Sequence, residues 1–248
     1  MTIDKNKAMA GIGLFARLSP ALKRRVAAAS GLQRFSQGTR LFQEGERCHY
    51  IYGIVSGTVA LASGSGESES VIDFFGTGET VLVPPALLDL PYLLSARATT
   101  DGMALLVPAG QFRAFVESDV TLAAECARLL ARHWRILVKQ TQRMKTQDAR
   151  ARLAQFILER AGKSTGAATL PLPGLKKDLA THLGMAPETL SRAFRRLRAH
   201  GVEAKGDAIS VMSLKNLMKF GVGPSRGHGA RLRLGGSSRS EIQKDMTP

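Results

Sequence analysis

The sequence predicts an α+β chain: a small antiparallel β-barrel or jelly roll, one long helix, and a C-terminal winged helix-turn-helix. Three observations carry that prediction. Between Leu32 and about Phe115, short extended runs alternate with turn glycines. Residues 118–145 hold one uninterrupted helical pattern. Residues 175–201, LKKDLATHLGMAPETLSRAFRRLRAHG, read as two short helices joined by a glycine turn.

The elements follow in chain order. In residues 14–30, Ser19 is placed to cap a short helix, with Pro20 in its first position. Leu22, Val26 and Ala29 give that helix one apolar face. LQRFSQGTRLF, HYIYGIVSGTVALAS, SESVIDFFGTGETV and SARATTDGMALLVP are the clearest strand runs, spaced as in a barrel or jelly roll. In the long helix, Leu122, Cys126, Leu129, His133, Ile136, Gln140 and Met144 recur at alternating threes and fours. That spacing suits a two-helix dimer seam in which the polar members help to fix register; the alternative is a helix packed on its own barrel. After a break near Thr146, DARARLAQFILERAG is a further amphipathic helix, and KSTGAATLPLPG reads as a polar connector. Behind the helix-turn-helix, two apolar runs around Gly206-Asp207 signal a hairpin, the wing, and SLKNLMKF closes the unit. The expected boundaries are 14–117 for the barrel, 118–145 for the dimer helix, 146–220 for the winged helix and 221–248 for a disordered basic tail.

Composition narrows the function. The formal net charge is +15, and residues 145–220 concentrate it, with 14 basic against 6 acidic side chains. A basic unit of this kind attracts phosphate irrespective of sequence. No apolar run of membrane-spanning length occurs, and the N-terminus lacks a signal-peptide pattern, so a cytoplasmic protein is expected. Cys48 and Cys126 stand far apart, which argues against a disulfide framework and against zinc or iron–sulfur ligation. No nucleophile–base set, phosphate-cradling loop or paired metal ligands point to an enzyme.

In the second helix of the motif, Leu190, Phe194 and Leu197 are expected to face inward. Glu188, Ser191, Arg192 and Arg195 fall on the opposite face. These types suit base edges in a major groove: arginine grips guanine O6 and N7, glutamate accepts from the cytosine amino group, and serine bonds a base or a phosphate. Lys176, Lys177, Arg196, Arg198 and Lys205 are expected on phosphates, where they fix position and affinity.

The stretches LFQEGERCHYIYGIVSGTVAL and PETLSRAFRRL resemble the CRP/FNR superfamily of bacterial transcription regulators, the second carrying the E-x-x-S-R signature of its FNR-like branches. The resemblance runs from about Leu14 to Phe220. It implies a cyclic-nucleotide-binding-type barrel as sensor and a homodimer on double-stranded DNA. Glu188, Ser191 and Arg192 then read a palindrome close to TTGAT-N4-ATCAA, and RNA polymerase is a further partner if the chain activates transcription. Cyclic AMP is not expected as the signal. The Gly-Glu and Arg-Ser pairs that hold its phosphate in such barrels fall here on Leu82-Val83 and Tyr92-Leu93, and an unpaired buried phosphate is costly. The cysteine cluster of oxygen-sensing FNR is missing too, so no iron–sulfur cluster is expected. The rhythm of Asp89, Pro91, Tyr92, Ala96 and Ala98 is similar to Dnr/Nnr-type regulators, which makes haem sensing nitric oxide one candidate, with Val81, Leu82, Val83, Tyr92, Leu93 and His133 as the pocket. Its alternatives are a FixK-like regulator without ligand and a non-specific nucleic-acid-binding protein.

Overall fold

A computed structural model describes residues 4–221 except 82 and 163. The tail from 222 onward, expected to be disordered, lies outside the described residues, as does Leu82.

Two short helices open the chain, α1 (Lys5–Ala10) and α2 (Pro20–Ala29). Ser19 accepts from the Leu22 amide and Pro20 starts α2, as the sequence predicts. Then come β1 (Gly31–Phe35), β2 (Arg40–Phe42), β3 (Tyr50–Ser56), β4 (Val59–Ser63), β5 (Ser70–Phe75), β6 (Thr80–Val81), a short helix α3 (Val83–Leu88), β7 (Ser95–Ala98) and β8 (Gly102–Pro108). The strands form two four-stranded antiparallel sheets, β1-β8-β3-β6 and β2-β7-β4-β5, closing a jelly-roll-like core. α4 (Ala109–Ser118) and the first half of α5 (Val120–Thr146) cover it: Phe112, Phe115, Leu122, Cys126 and Leu129 join one hydrophobic core with Phe15, Ile51, Ile54 and Leu105.

At the end of α5, Gln147 turns to extended backbone and Asp148 caps α6 (Ala149–Ala161) by accepting from the Ala151 amide. β9 (Ala168–Pro171), α7 (Lys176–His182), α8 (Pro187–Leu197), β10 (Val202–Lys205), β11 (Ala208–Val211) and α9 (Leu214–Gly221) complete the second unit. Its separate core is built around Leu153, Ile157, Leu179, Leu190 and Leu197. The predicted hairpin is β10–β11, with Lys205 opposite Ala208. The stretch read as a polar connector contributes β9, which pairs with β11 and makes the wing three-stranded. β9's alternation of half-buried and exposed residues carries too little apolar signal to mark a strand by itself.

The two cores meet where α7 lies against β5, and the contact is polar at its centre. Arg97 of β7 pairs with Glu69 at 2.6 Å and with Asp178 of α7 at 3.0 Å. The Asp178 side chain is only 4% exposed, and its other oxygen accepts from the Leu175 amide at the start of α7. One carboxylate therefore caps the first helix of the DNA motif and ties it to the barrel. The Val71 amide donates to Thr181 Oγ1 (3.1 Å), His182 Nδ1 donates to the Ile72 carbonyl (3.0 Å), and the Thr99 hydroxyl donates to the Pro173 carbonyl. Gly174 fits because a Cβ there would stand 2.8 Å from Asp178 Oδ2 and 3.1 Å from Thr99 Cγ2.

Removing one member of a buried ion pair strands its partner, at a cost of about 3–5 kcal/mol if the surroundings stay closed. In Arg97→Ala, Asp178 is expected to regain water by undocking α7 from β5. Hydrogen exchange should then speed up at Val71, Ile72 and along α7, while the protection of β3 and β8 stays as it was. Unchanged exchange along α7 would show that Arg97 does not hold the seam.

Candidate nucleic-acid interface

The helix-turn-helix is built as its sequence dictates. α7 ends at His182 with Leu183 as its C-cap, and Gly184 takes the left-handed conformation (φ +62°) that turns the chain. The Gly184 amide closes the turn on the Thr181 carbonyl, and the Met185 amide closes on that of Ala180. α8 begins at Pro187, which has no amide hydrogen to leave unpaired in a first turn. Leu190, Ala193 and Leu197 are buried beneath it; Phe194, expected inward, is half-buried.

Glu188, Ser191, Arg192 and Arg195 are all exposed on the outer side of α8. Arg192 Nη2 donates to Thr189 Oγ1 at 3.2 Å, which holds the guanidinium along the helix while leaving its outer edge open. The Ser191 hydroxyl donates to the Pro187 carbonyl at 3.0 Å. Lys176 and Lys177 open α7, Lys205 stands at the wing turn, and Arg196 and Arg198 flank the end of α8; all five are exposed. Arg198 has only a loose contact with Glu203, 3.8 Å at the surface. The arrangement is one groove-sized helix face surrounded by exposed cations, and among the described residues nothing covers it.

The described members of the predicted sensor pocket do not converge on one site, and Leu82 lies outside the described residues. Val81 and Val83 are buried in the barrel core, and Val83 begins helix α3. Leu93 is 78% exposed. Tyr92 is buried, its ring stacked on Phe42 (centroids 3.9 Å apart) and its hydroxyl donating to the Tyr50 carbonyl at 2.7 Å. Burial pushes the Tyr92 phenol far up, and pushes Tyr52, whose hydroxyl donates to the Leu41 carbonyl, up to about 12. His133 is half-buried with its ring edge toward Phe75. Val81, Val83 and Tyr92 pack the barrel core, His133 packs against Phe75, and Leu93 faces outward. Both thiols are buried, and burial pushes Cys126 up to about 11 and Cys48 also upward, so neither is poised as a thiolate. Among the described residues no cluster of three or more His, Cys, Asp or Glu could hold a metal ion, and no helix is long and apolar enough to cross a membrane.

The predicted dimer seam also needs correction. Leu122, Cys126 and Leu129 face the chain's own barrel and have no surface left for a partner, and His133 continues that inward line. Ile136 and Met144, at 45% and 49% exposure, lie where α5 has left the barrel behind. A helix that packs on both sides carries two apolar stripes, and the sequence periodicity picked out the inner one.

The chain's relatives agree with this geometry. Residues 32–119 match the family model of the cyclic nucleotide-binding domain, and residues 151–220 match that of the Crp-like helix-turn-helix domain. A putative cyclic nucleotide binding protein from Ruegeria pomeroyi DSS-3 is 28% identical, with a TM-score of 0.65 over 88% of this chain and 97% of that one. A putative cAMP-binding regulatory protein from Silicibacter pomeroyi DSS-3 is 27% identical, with a TM-score of 0.64 over 88% and 99%. FixK2 from Bradyrhizobium japonicum shares the fold at 22% identity, with a TM-score of 0.68 over 77% and 96%. No curated protein sequence matches the chain.

His182 gives the junction between motif and barrel a pH dependence. It sits edge-on to Phe74 and Phe156, and burial holds its pKa below the ordinary 6.5. The folded chain therefore keeps it neutral while the unfolded chain protonates it below about pH 6.5. In that window the unfolded state binds more protons, so this part of the stability is complete above pH 6.5 and drains as pH falls toward the folded pKa. His133, lowered by burial too, acts in the same direction. Between about pH 7.5 and 5.5, Tm is expected to fall less in His182→Gln than in the parent; equal slopes would take His182 out of the account.

Proposed function

The chain belongs to the CRP/FNR superfamily of transcription regulators, and from that premise we propose that it acts as a homodimer reading a palindromic DNA site through Glu188, Ser191, Arg192 and Arg195. It is a regulator, not an enzyme. The observation that carries the reading is the exposed outer face of α8, set in a winged helix with Lys176, Lys177, Arg196, Arg198 and Lys205 free to meet phosphates on either side. A two-fold dimer places two such helices in successive major grooves, which is why its sites are palindromes. The FNR-like signature favours a half-site close to TTGAT, and RNA polymerase is the further partner in an activating role. The reading places the protein in the cytoplasm, with the DNA.

The dimer seam of this proposal is the outer stripe of α5: Val120, Ala123, Ala127, Leu130, Trp134, Leu137, Thr141 and Met144, again spaced at threes and fours. Apart from Met144, which both share, it runs one residue on from the inner stripe, a rotation of about 100°. Val120 is 86% and Trp134 69% exposed, an arrangement that a single chain gains nothing from and a second helix would cover.

The signal is read as something other than cyclic AMP, because Tyr92 and Leu93 stand where an arginine and a serine would meet its phosphate. The donor set does not suit haem either. Val81, Val83 and Tyr92 are packed into the core, and burial with a Phe75 contact occupies His133. A signal would act by shifting the population between a docked and a rearranged placement of the winged helices.

Two outcomes are expected. Arg192→Ala should cost about 1–3 kcal/mol on the palindrome and relax preference at one base pair, measured by fluorescence anisotropy on a panel of substituted duplexes. An equal loss on every duplex would make Arg192 a phosphate contact. Trp134→Glu should leave the barrel folded but yield monomers by sedimentation, with weak binding to the palindrome, whereas a dimer surviving intact would remove the outer stripe from the interface.

A further inference from the structure

On the outer face of α8, Glu188 precedes Arg192 by one helical turn. A glutamate four residues ahead of a cation is the favourable order for an ion pair along a helix. The pair does not form. Among the described residues neither Glu188 nor Arg192 has a salt-bridge partner. Arg192 Nη2 donates instead to Thr189 Oγ1 at 3.2 Å. At about 100° of turn per residue, Glu188 lies about 40° to one side of Arg192 and Thr189 about 60° to the other. Leaning on Thr189 therefore draws the guanidinium away from the carboxylate. Thr189 is half-buried, between exposed Glu188 and buried Leu190, and its branched side chain has few rotamers on a helix. Thr141 and Thr146 of α5 donate their hydroxyls to carbonyls one turn back, whereas Thr189, in the first turn of α8, accepts from a side chain one turn ahead.

The hydrogen bond to Thr189 takes one N–H of the guanidinium and leaves the others free. A bidentate carboxylate would take the two parallel donors that guanine O6 and N7 require. It would also fill its own oxygens, which a cytosine amino group needs. An ion pair within this face is thus a competitor of both base contacts. We propose, resting on the reading of α8 as the helix that meets DNA bases, that Thr189 is a positioning residue for that readout: it holds Arg192 away from Glu188, so that two readers of opposite charge stay separate and each reaches its own base. A guanidinium already placed loses less freedom when it binds, so the hold sharpens the preference for guanine as well as protecting it.

The test is fluorescence anisotropy of the full chain on two duplexes, the palindrome and the same duplex with the TTGAT guanine of each half-site replaced by adenine. Thr189→Val keeps the shape and removes the acceptor; it should lower the preference for the guanine duplex about ten-fold, the worth of one base contact. Thr189→Ser keeps the hydroxyl and should preserve the preference. In a Glu188→Gln background, where no carboxylate competes, Thr189→Val should change the preference by less than about two-fold. A preference unaltered by Thr189→Val, a loss of the same size with and without the Glu188 carboxylate, or an equal loss of affinity on both duplexes would overturn the proposal. If Arg192→Ala relaxes the preference and Thr189→Val does not, the positioning role fails and the reading of α8 stands. If Arg192→Ala weakens both duplexes equally, the reading itself fails.

Discussion

The Asp178 carboxylate is the charged centre of the contact between the barrel and the helix-turn-helix. One of its oxygens starts helix α7 by capping the Leu175 amide, and the other is gripped by Arg97 from the barrel. A buried carboxylate is tolerable only when both oxygens are engaged, so the local stability of the motif and its attachment to the sensor unit share one energetic requirement. The surrounding contacts, Thr181 with Val71, His182 with Ile72 and Thr99 with Pro173, are hydrogen bonds to backbone. A seam made of polar contacts around a single ion pair holds an orientation without the large apolar burial that would make it permanent.

The long helix solves a related problem with two faces. Its first half is a structural wall of the barrel, closed by Leu122, Cys126 and Leu129. Beyond His133 nearly every residue of α5 is exposed, and there the helix belongs to whatever it meets outside the chain. Near its end, Arg143 pairs with Glu159 of α6, so the same helix that walls the barrel also touches the DNA-binding unit.

Local chemistry explains which parts were legible from sequence. The helix-turn-helix announces itself because proline, glycine and a strongly two-sided helix act within a dozen residues, and the structure follows nearly position by position. The barrel strands were legible through their glycine punctuation. Which side of α5 packs on the barrel was not, because an apolar repeat of threes and fours states that a stripe is buried and not what buries it; α5 has two such stripes one residue apart. The sensor pocket failed for a similar reason, since Val81, Val83 and Tyr92 are apolar for the sake of the core. Arg97 and Asp178 lie 81 residues apart in sequence, and nothing local to either hints at the other. β9 is strand only because β11 offers it an edge.

The bond between Ser191 and Pro187 limits what the reading helix can say to DNA. A serine hydroxyl has a single proton, and this one is given to the carbonyl one turn back. What remains facing outward is a pair of lone pairs. In the proposed role of base reader, and so long as that bond persists, Ser191 would present itself only as an acceptor, matched to the amino groups of adenine or cytosine and mismatched to the carbonyl oxygens of guanine or thymine. A residue that could in principle converse with any base is narrowed, by its own helix, to half of the alphabet.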